Sequence, residues 1–199
     1  MLRIEPTTLE GEFVRLVPLS PDHVDACSAI GLDPDIWRWT PLRVRDAAGM
    51  RRLVEEALRA QRAGTALPFT TTARESGEVV GMTRFMNIAP ADRRVEIGFT
   101  WIAPAWQRTR INSEAKYLML RHAFETWGCM RVEFKTNALN TRSRAAILRL
   151  GAVEEGTLRK HMLNEDGTVR DSVYFSIVDD EWPGVKARME AALRGDAVR

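Results

Sequence analysis

Between positions 94 and 102 apolar and polar residues alternate, so Val95, Ile97, Phe99 and Trp101 share one face of an extended chain while Glu96, Gly98 and Thr100 point the other way. A polar, basic turn follows, Gln107-Arg108-Thr109-Arg110-Ile111-Asn112. The period then lengthens to that of a helix over 113–127, with Ala115, Leu118, Met119, His122 and Ala123 on one stripe and Asn112 as its N-cap. Strand, turn and helix in that order make a cradle for an anion. A helix start offers unpaired backbone N–H groups and the positive end of the helix dipole, and a phosphate fits both.

The same reading extends along the chain. Residues 13–19 alternate as a strand, and Ser20-Pro21-Asp22 opens a helix with Ser20 as N-cap and Pro21 at its first position. Over 47–62 Met50, Leu53, Val54, Ala57 and Leu58 fall on one helical face, and Gly64 stops it. Two β-rich runs, 66–73 and 78–86, flank the turn Glu75-Ser76-Gly77. Further on come a strand over 130–137, a short helix over 142–150 ended by Gly151, and a hairpin over 155–178 around Asn164-Glu165-Asp166-Gly167. A last helix spans 183–194, with Val185, Met189 and Leu193 at four-residue spacing, before a frayed tail.

Composition narrows the function classes. The 199 residues, 45% hydrophobic and 28% charged, suit one globular domain over 1–199. No apolar run long enough to span a bilayer occurs and no signal peptide is evident at the start, so a cytoplasmic protein is expected. Cys27 and Cys129 lack metal-ligand spacing and read as free thiols. A net charge of +2, with arginines scattered among acids, argues against nucleic acid as partner. One local group stands out, Arg108, Arg110, Arg142 and Arg144, which would form a positive pocket if the two segments meet; solvated helix ends are the other reading of Arg142 and Arg144. His23, His122 and His161 share no ligand spacing with each other or with the cysteines, so no metal site is expected, and His122 reads as a core histidine.

Four motifs in order give the chain a family likeness: Leu9-Glu10-Gly11 running to Leu19, Glu96-Ile97-Gly98-Phe99, Asn140-Thr141-Arg142-Ser143 leading to Leu150-Gly151, and Asp171-Ser172-Val173-Tyr174-Phe175-Ser176. In these the chain resembles the GNAT N-acetyltransferases, and among them the Rim-type branch that acetylates the N-termini of ribosomal proteins. The resemblance implies an α/β (α+β) fold with a mixed, mostly antiparallel sheet flanked by helices and splayed beside the cofactor turn. It implies acetyl-CoA as cosubstrate, a primary amine as acceptor (a protein N-terminus or a small amine), direct attack in a ternary complex, and often a homodimer. The family pattern Gln/Arg-x-x-Gly-x-Gly/Ala begins at Gln107 but has Arg110 and Asn112 at its small-residue positions. That departure motivates an alternative, a non-catalytic acyl-CoA-binding or sensing module.

Residue by residue, the resemblance sets the pyrophosphate on Gln107, Arg108, Thr109, Arg110, Ile111 and Asn112, with Arg144 nearby and Asn140 against the pantetheine. A backbone N–H near Ile102 would polarise the thioester carbonyl. Glu96 becomes the candidate general base and Ser143 the acid for the leaving thiolate, although an exposed strand carboxylate and a helix-cap residue describe these positions as well. Tyr174 is a weaker alternative acid. Trp37 and Trp39 stand where family members build the acceptor's lip, and core packing explains them equally.

Overall fold

In the computed structural model residues 4–195 are described; the C-terminal tail beyond them lies outside that range. The strands are β1 Leu9–Glu10, β2 Val14–Pro18, β3 Leu67–Ala73, β4 Val79–Ala89, β5 Arg94–Ile102, β6 Arg131–Asn137, β7 Val153–Leu163 and β8 Val169–Val178. The helices are α1 Val24–Gly31, α2 Pro34–Trp37, α3 Ala47–Arg62, α4 Arg110–Arg121, α5 Thr141–Leu150 and α6 Trp182–Arg194. One eight-stranded sheet runs in the order β1-β2-β3-β4-β5-β6-β8-β7. All its pairs are antiparallel except β5 with β6, which are parallel. No helix of the described residues is long and apolar enough to cross a membrane.

Local chemistry accounts for the element boundaries. Ser20 accepts from the Asp22 N–H, His23 Nδ1 accepts from the Ser20 N–H in return, and Pro21 begins the 3-10 turn that feeds α1. Asp46 caps α3 by accepting from the Gly49 N–H, and Gly64 beyond its end is left-handed at φ 71°. Gly151, at φ 99°, closes α5.

The sheet separates two apolar cores. One holds α4, α6 and Ile147 of α5 against Val14, Leu16, Phe69, Phe85, Val95, Ile97, Val132, Phe134 and Phe175. The other packs α1, Trp37 and α3 against Leu19, Met82 and Trp101. The expected alternation of β5 fails halfway. Phe99 adopts φ 44° and the β4–β5 register slips between Met82 and Arg84, so one extra residue bulges and reverses the facing beyond it. Val95 and Ile97 face α4, whereas Phe99 and Trp101 turn to the α1–α3 side.

The helix after the basic turn also departs from expectation. It begins at Arg110 with Thr109 as N-cap, not at Ser113 with Asn112, and its last turn, His122–Thr126, is π-helical. A single apolar stripe was expected, yet Glu114 through Leu120 are all buried. The sheet covers one side of α4 and α6 another, where the Tyr117 hydroxyl donates to Glu190 Oε1 at 2.6 Å and its ring meets Trp182.

Candidate functional site

β5 and β6 pair only from Arg94 to Glu96, opposite Arg131 to Glu133; beyond that point they part, and α4 begins past the end of β5. Glu96 stands where the strands part. Its carboxylate is buried, 2% exposed, with Oε2 accepting from Asn87 Nδ2 at 2.7 Å and pairing with Lys135 Nζ at 3.5 Å. Its Oε1 lies 3.1 Å from where a Gly98 side chain would begin, so the missing Cβ leaves room over that oxygen. Asn87 and Lys135 were not singled out by sequence, because neither joins a motif; only the pairing of β5 with its neighbours brings them to Glu96.

The basic turn follows the 3-10 turn Pro104–Trp106. Arg108 is left-handed at φ 64°, an uncommon state for a residue with a Cβ. Thr109 Oγ1 donates to the Trp106 carbonyl at 2.8 Å and accepts from the Ile111 N–H at 3.3 Å. The first-turn N–H groups of Arg110 and Asn112 have no partner within the helix, as at any helix start. Asn112 itself sits inside that turn with Oδ1 buried and unpartnered.

Gln107 ties the turn to two other expected site residues. Its Nε2 donates to the Ile102 carbonyl at 2.9 Å, and its Oε1 accepts from Arg142 Nη2 at 2.9 Å. Arg142 therefore reaches the cradle from α5. Arg110 and Arg144 are engaged elsewhere: the Arg110 guanidinium lies over the Phe13 ring at 5.1 Å, and Arg144 pairs with Glu154 at 3.0 Å. Asn140 caps α5 by accepting from the Ser143 N–H at 3.0 Å, which brings these two together and leaves the Asn140 amide N–H groups outside the cap.

Of the two tryptophans, Trp37 is 1% exposed, donates to the Gly31 carbonyl at 2.8 Å and packs on Phe99 and Trp101, which makes it a core residue rather than a wall. Trp39 is half-buried, and its carbonyl accepts from Arg170 Nη1 at 3.3 Å. The β7–β8 turn docks beside it: the Glu165 N–H donates to the Pro41 carbonyl and its carboxylate accepts from the Arg43 N–H. Beneath the β5 bulge, Lys116 of α4 donates to Thr83 Oγ1 at 3.1 Å and Thr100 Oγ1 at 2.5 Å, and burial pushes its ammonium down to about 7. A lysine in a helix otherwise rich in apolar residues was the sequence signal for it. Among the described residues no group of His, Cys, Asp and Glu side chains could hold a metal.

A family profile described as "Acetyltransferase (GNAT) domain" matches residues 14–153. The protein named as ribosomal N-acetyltransferase YdaF, of Bacillus subtilis (strain 168), is 34% identical over 110 residues, 55% of this chain and 59% of its own length. The chain thus spans little more than half of the first curated relatives it matches. Among solved structures, a GCN5-related N-acetyltransferase from Brucella melitensis superposes at a TM-score of 0.86 with 30% identity, covering 95% of this chain and 86% of the other. RimJ of Mycobacterium smegmatis, in complex with CoA-disulfide, superposes at 0.83 with 26% identity, covering 96% and 97%.

Proposed function

Since the chain belongs to the GNAT acetyltransferase family, we propose that it moves an acetyl group from acetyl-CoA to a primary amine, on a protein N-terminus or a small molecule, by direct attack within a ternary complex. The observation that carries this reading is the parting of β5 from β6 just beyond the buried Glu96, with the start of α4 at the far end of the gap. The names of the relatives, a ribosomal N-acetyltransferase and a RimJ bound to a CoA derivative, favour an N-terminal amine and CoA as the acyl carrier.

The residues present suit acetyl-CoA. The N–H groups of the first turn of α4, with Thr109, Ile111 and Asn112, would hold the pyrophosphate, and Arg108 and Arg142 add charge on either side. Arg110 and Arg144 contribute at longer range, given their bonds to Phe13 and Glu154. Asn140 offers its amide to the pantetheine arm, and an N–H near Ile102 polarises the carbonyl.

Glu96 takes the proton of the attacking amine through Oε1, while Asn87 and Lys135 hold Oε2 and fix the carboxylate's orientation. As the new N–C bond forms and the C–S bond breaks, the Ser143 hydroxyl gives its proton to the departing thiolate. Trp39 lines the acceptor's approach from the loop after α2.

Calorimetric titration with acetyl-CoA, followed by turnover on short peptides with a free N-terminus, tests the reading. We expect micromolar binding and measurable transfer, with Glu96→Gln lowering kcat by about 10²-fold or more. Wild-type kcat in Glu96→Gln removes Glu96 from this role, and binding without turnover on any amine describes an acyl-CoA-binding module instead.

A further inference from the structure

The face of the sheet that carries Glu96 holds more positive than negative charge. Alternation brings Arg84 and Met86 of β4, Glu96 and Gly98 of β5, Lys135 of β6, and Arg170, Ser172 and Tyr174 of β8 to this face, since Met86 pairs with Glu96, Arg84 with Gly98, and Lys135 with Tyr174. Three cations, Arg84, Lys135 and Arg170, stand in the field of Glu96, and Arg84 in that of Glu56 as well. His161 of β7 adds a titratable ring, edge-on to Tyr174, with Nδ1 buried and unpartnered. The nearby carboxylates of Glu133 and Glu155 are taken by Arg94 and Arg131.

Two of these cations lack a carboxylate partner. Among the described residues no carboxylate lies within ion-pair distance of Arg84 or Arg170. Arg84 feels Glu56 and Glu96 only from farther away. Arg170 is 5% exposed and donates only to Ser172 Oγ and the Trp39 carbonyl. Burial pushes both guanidinium groups down from their ordinary range. A buried guanidinium without a counter-ion is costly, and such groups are normally paired. Arg84 is also fixed in place: its guanidinium stacks 4.9 Å from the ring centre of Phe99, the left-handed bulge residue, and its Nε is buried without a hydrogen bond. A stacked, half-buried guanidinium whose Nε has no hydrogen-bond partner matches a carboxylate.

We propose that the amine acceptor carries a carboxylate a few bonds from its amine, and that Arg84 receives it while Glu96 faces the amine. Arg170 and Lys135 back the same site with charge. Arg84 is diagonal to Glu96 across β4 and β5, a separation of roughly 7 Å between backbones, so one small acidic unit bridges the two side chains. That unit is a free acidic amino acid or an acidic residue at the start of a peptide. The inference rests on the acetyl-transfer reading and names the acceptor class for the same site.

The test compares isosteric pairs, the peptides Asp-Ala-Ala-Ala and Asn-Ala-Ala-Ala as C-terminal amides, and glutamate and glutamine as their α-amides, so that the acid of each pair carries one carboxylate and its amide none. Binding to the acetyl-CoA-saturated protein is measured by calorimetry, on wild type and on Arg84→Gln, and acetyl transfer is measured on the same pairs. The expected result is at least tenfold tighter binding of the acid than of its amide in one of the two pairs, with the ratio falling towards one in Arg84→Gln. The pair that discriminates identifies a peptide or an amino acid as the source. Equal binding of acid and amide in wild type, an acid preference that survives Arg84→Gln, or no binding of either acid overturns the proposal, and the first and last need no folded variant. Acid preference in binding with no acetyl transfer removes the catalytic reading and leaves the anion site standing.

Discussion

The Lys116 ammonium meets two threonine hydroxyls, and among the described residues no carboxylate pairs with it. Its folded-state titration lies at about 7 against 10.5 for the ordinary side chain. Between those values the unfolded chain binds the extra proton, so stability rises with pH there. Below about 7 both states are charged and the penalty is fully present. Cys27 and Cys129, pushed up to about 12 and about 11 from 9.0, act in the opposite sense and lower stability above pH 9. The Lys116 contribution is therefore legible between pH 7 and 9, where unfolding free energy should rise by about 2 kcal/mol. Urea denaturation should show that rise in wild type and not in Lys116→Met. Arg108 poses a different residue-scale question, since it combines a left-handed backbone with a charge at the helix start. Arg108→Gly should raise stability by about 0.5–1 kcal/mol and at the same time weaken acetyl-CoA binding several-fold; calorimetry of unfolding and of binding would show the two opposite signs.

At the scale of elements, one buried carboxylate joins the first hairpin to the central helix. Glu114 of α4 accepts from the N–H groups of Glu12, Phe13 and Val14 at 2.7–2.8 Å, and a side chain at Gly11 would collide with it. Three donors would lose their acceptor in Glu114→Ala, which should cost roughly 3 kcal/mol or more in chemical denaturation, with Glu114→Gln losing less. Residues 13–19 were legible as a strand, but the anchor of that strand was not, because it lies 100 residues away in sequence. The α3 amphipathic pattern, the Ser20 N-cap and the Gly151 stop could be read directly, since each is set by neighbours within one turn. Asn112 was misread as the cap because Asn and Thr suit that position alike; Thr109 holds it because the chain turns at Arg108. The Phe99 bulge left no mark on the alternating pattern, and with it the facing of Trp101 was lost. Glu96, Gln107 and Asn140, named from their motifs, lie at the parting of β5 and β6, at the turn before α4 and at the start of α5. Arg84 and Arg170 were not named, because strand register alone brings them to the face of Glu96; Lys116 was passed over too, and it is helix α4 that carries it to Thr83 and Thr100.

The whole molecule is a sheet that is continuous on both sides of one interruption. To one side β1 to β5 are clamped between two cores; to the other β6, β8 and β7 form an antiparallel unit whose outer strand β7 is exposed along most of its length. Within the sheet the two halves share only the short parallel pairing at Arg94–Glu96, while the core under α4 and α6 spans both. Where β5 and β6 part, backbone amides lie in an element that is regular on its other side, β5 on β4 and β6 on β8. Such amides have no ladder partner across the gap and should exchange with solvent deuterium far faster than their strand neighbours, despite lying in the middle of the sheet. Acetyl-CoA lying along the gap would slow them. Deuterium uptake at 97–102 and 134–137, measured with and without acetyl-CoA, should therefore give a protection footprint inside the sheet, as if a missing strand had been supplied.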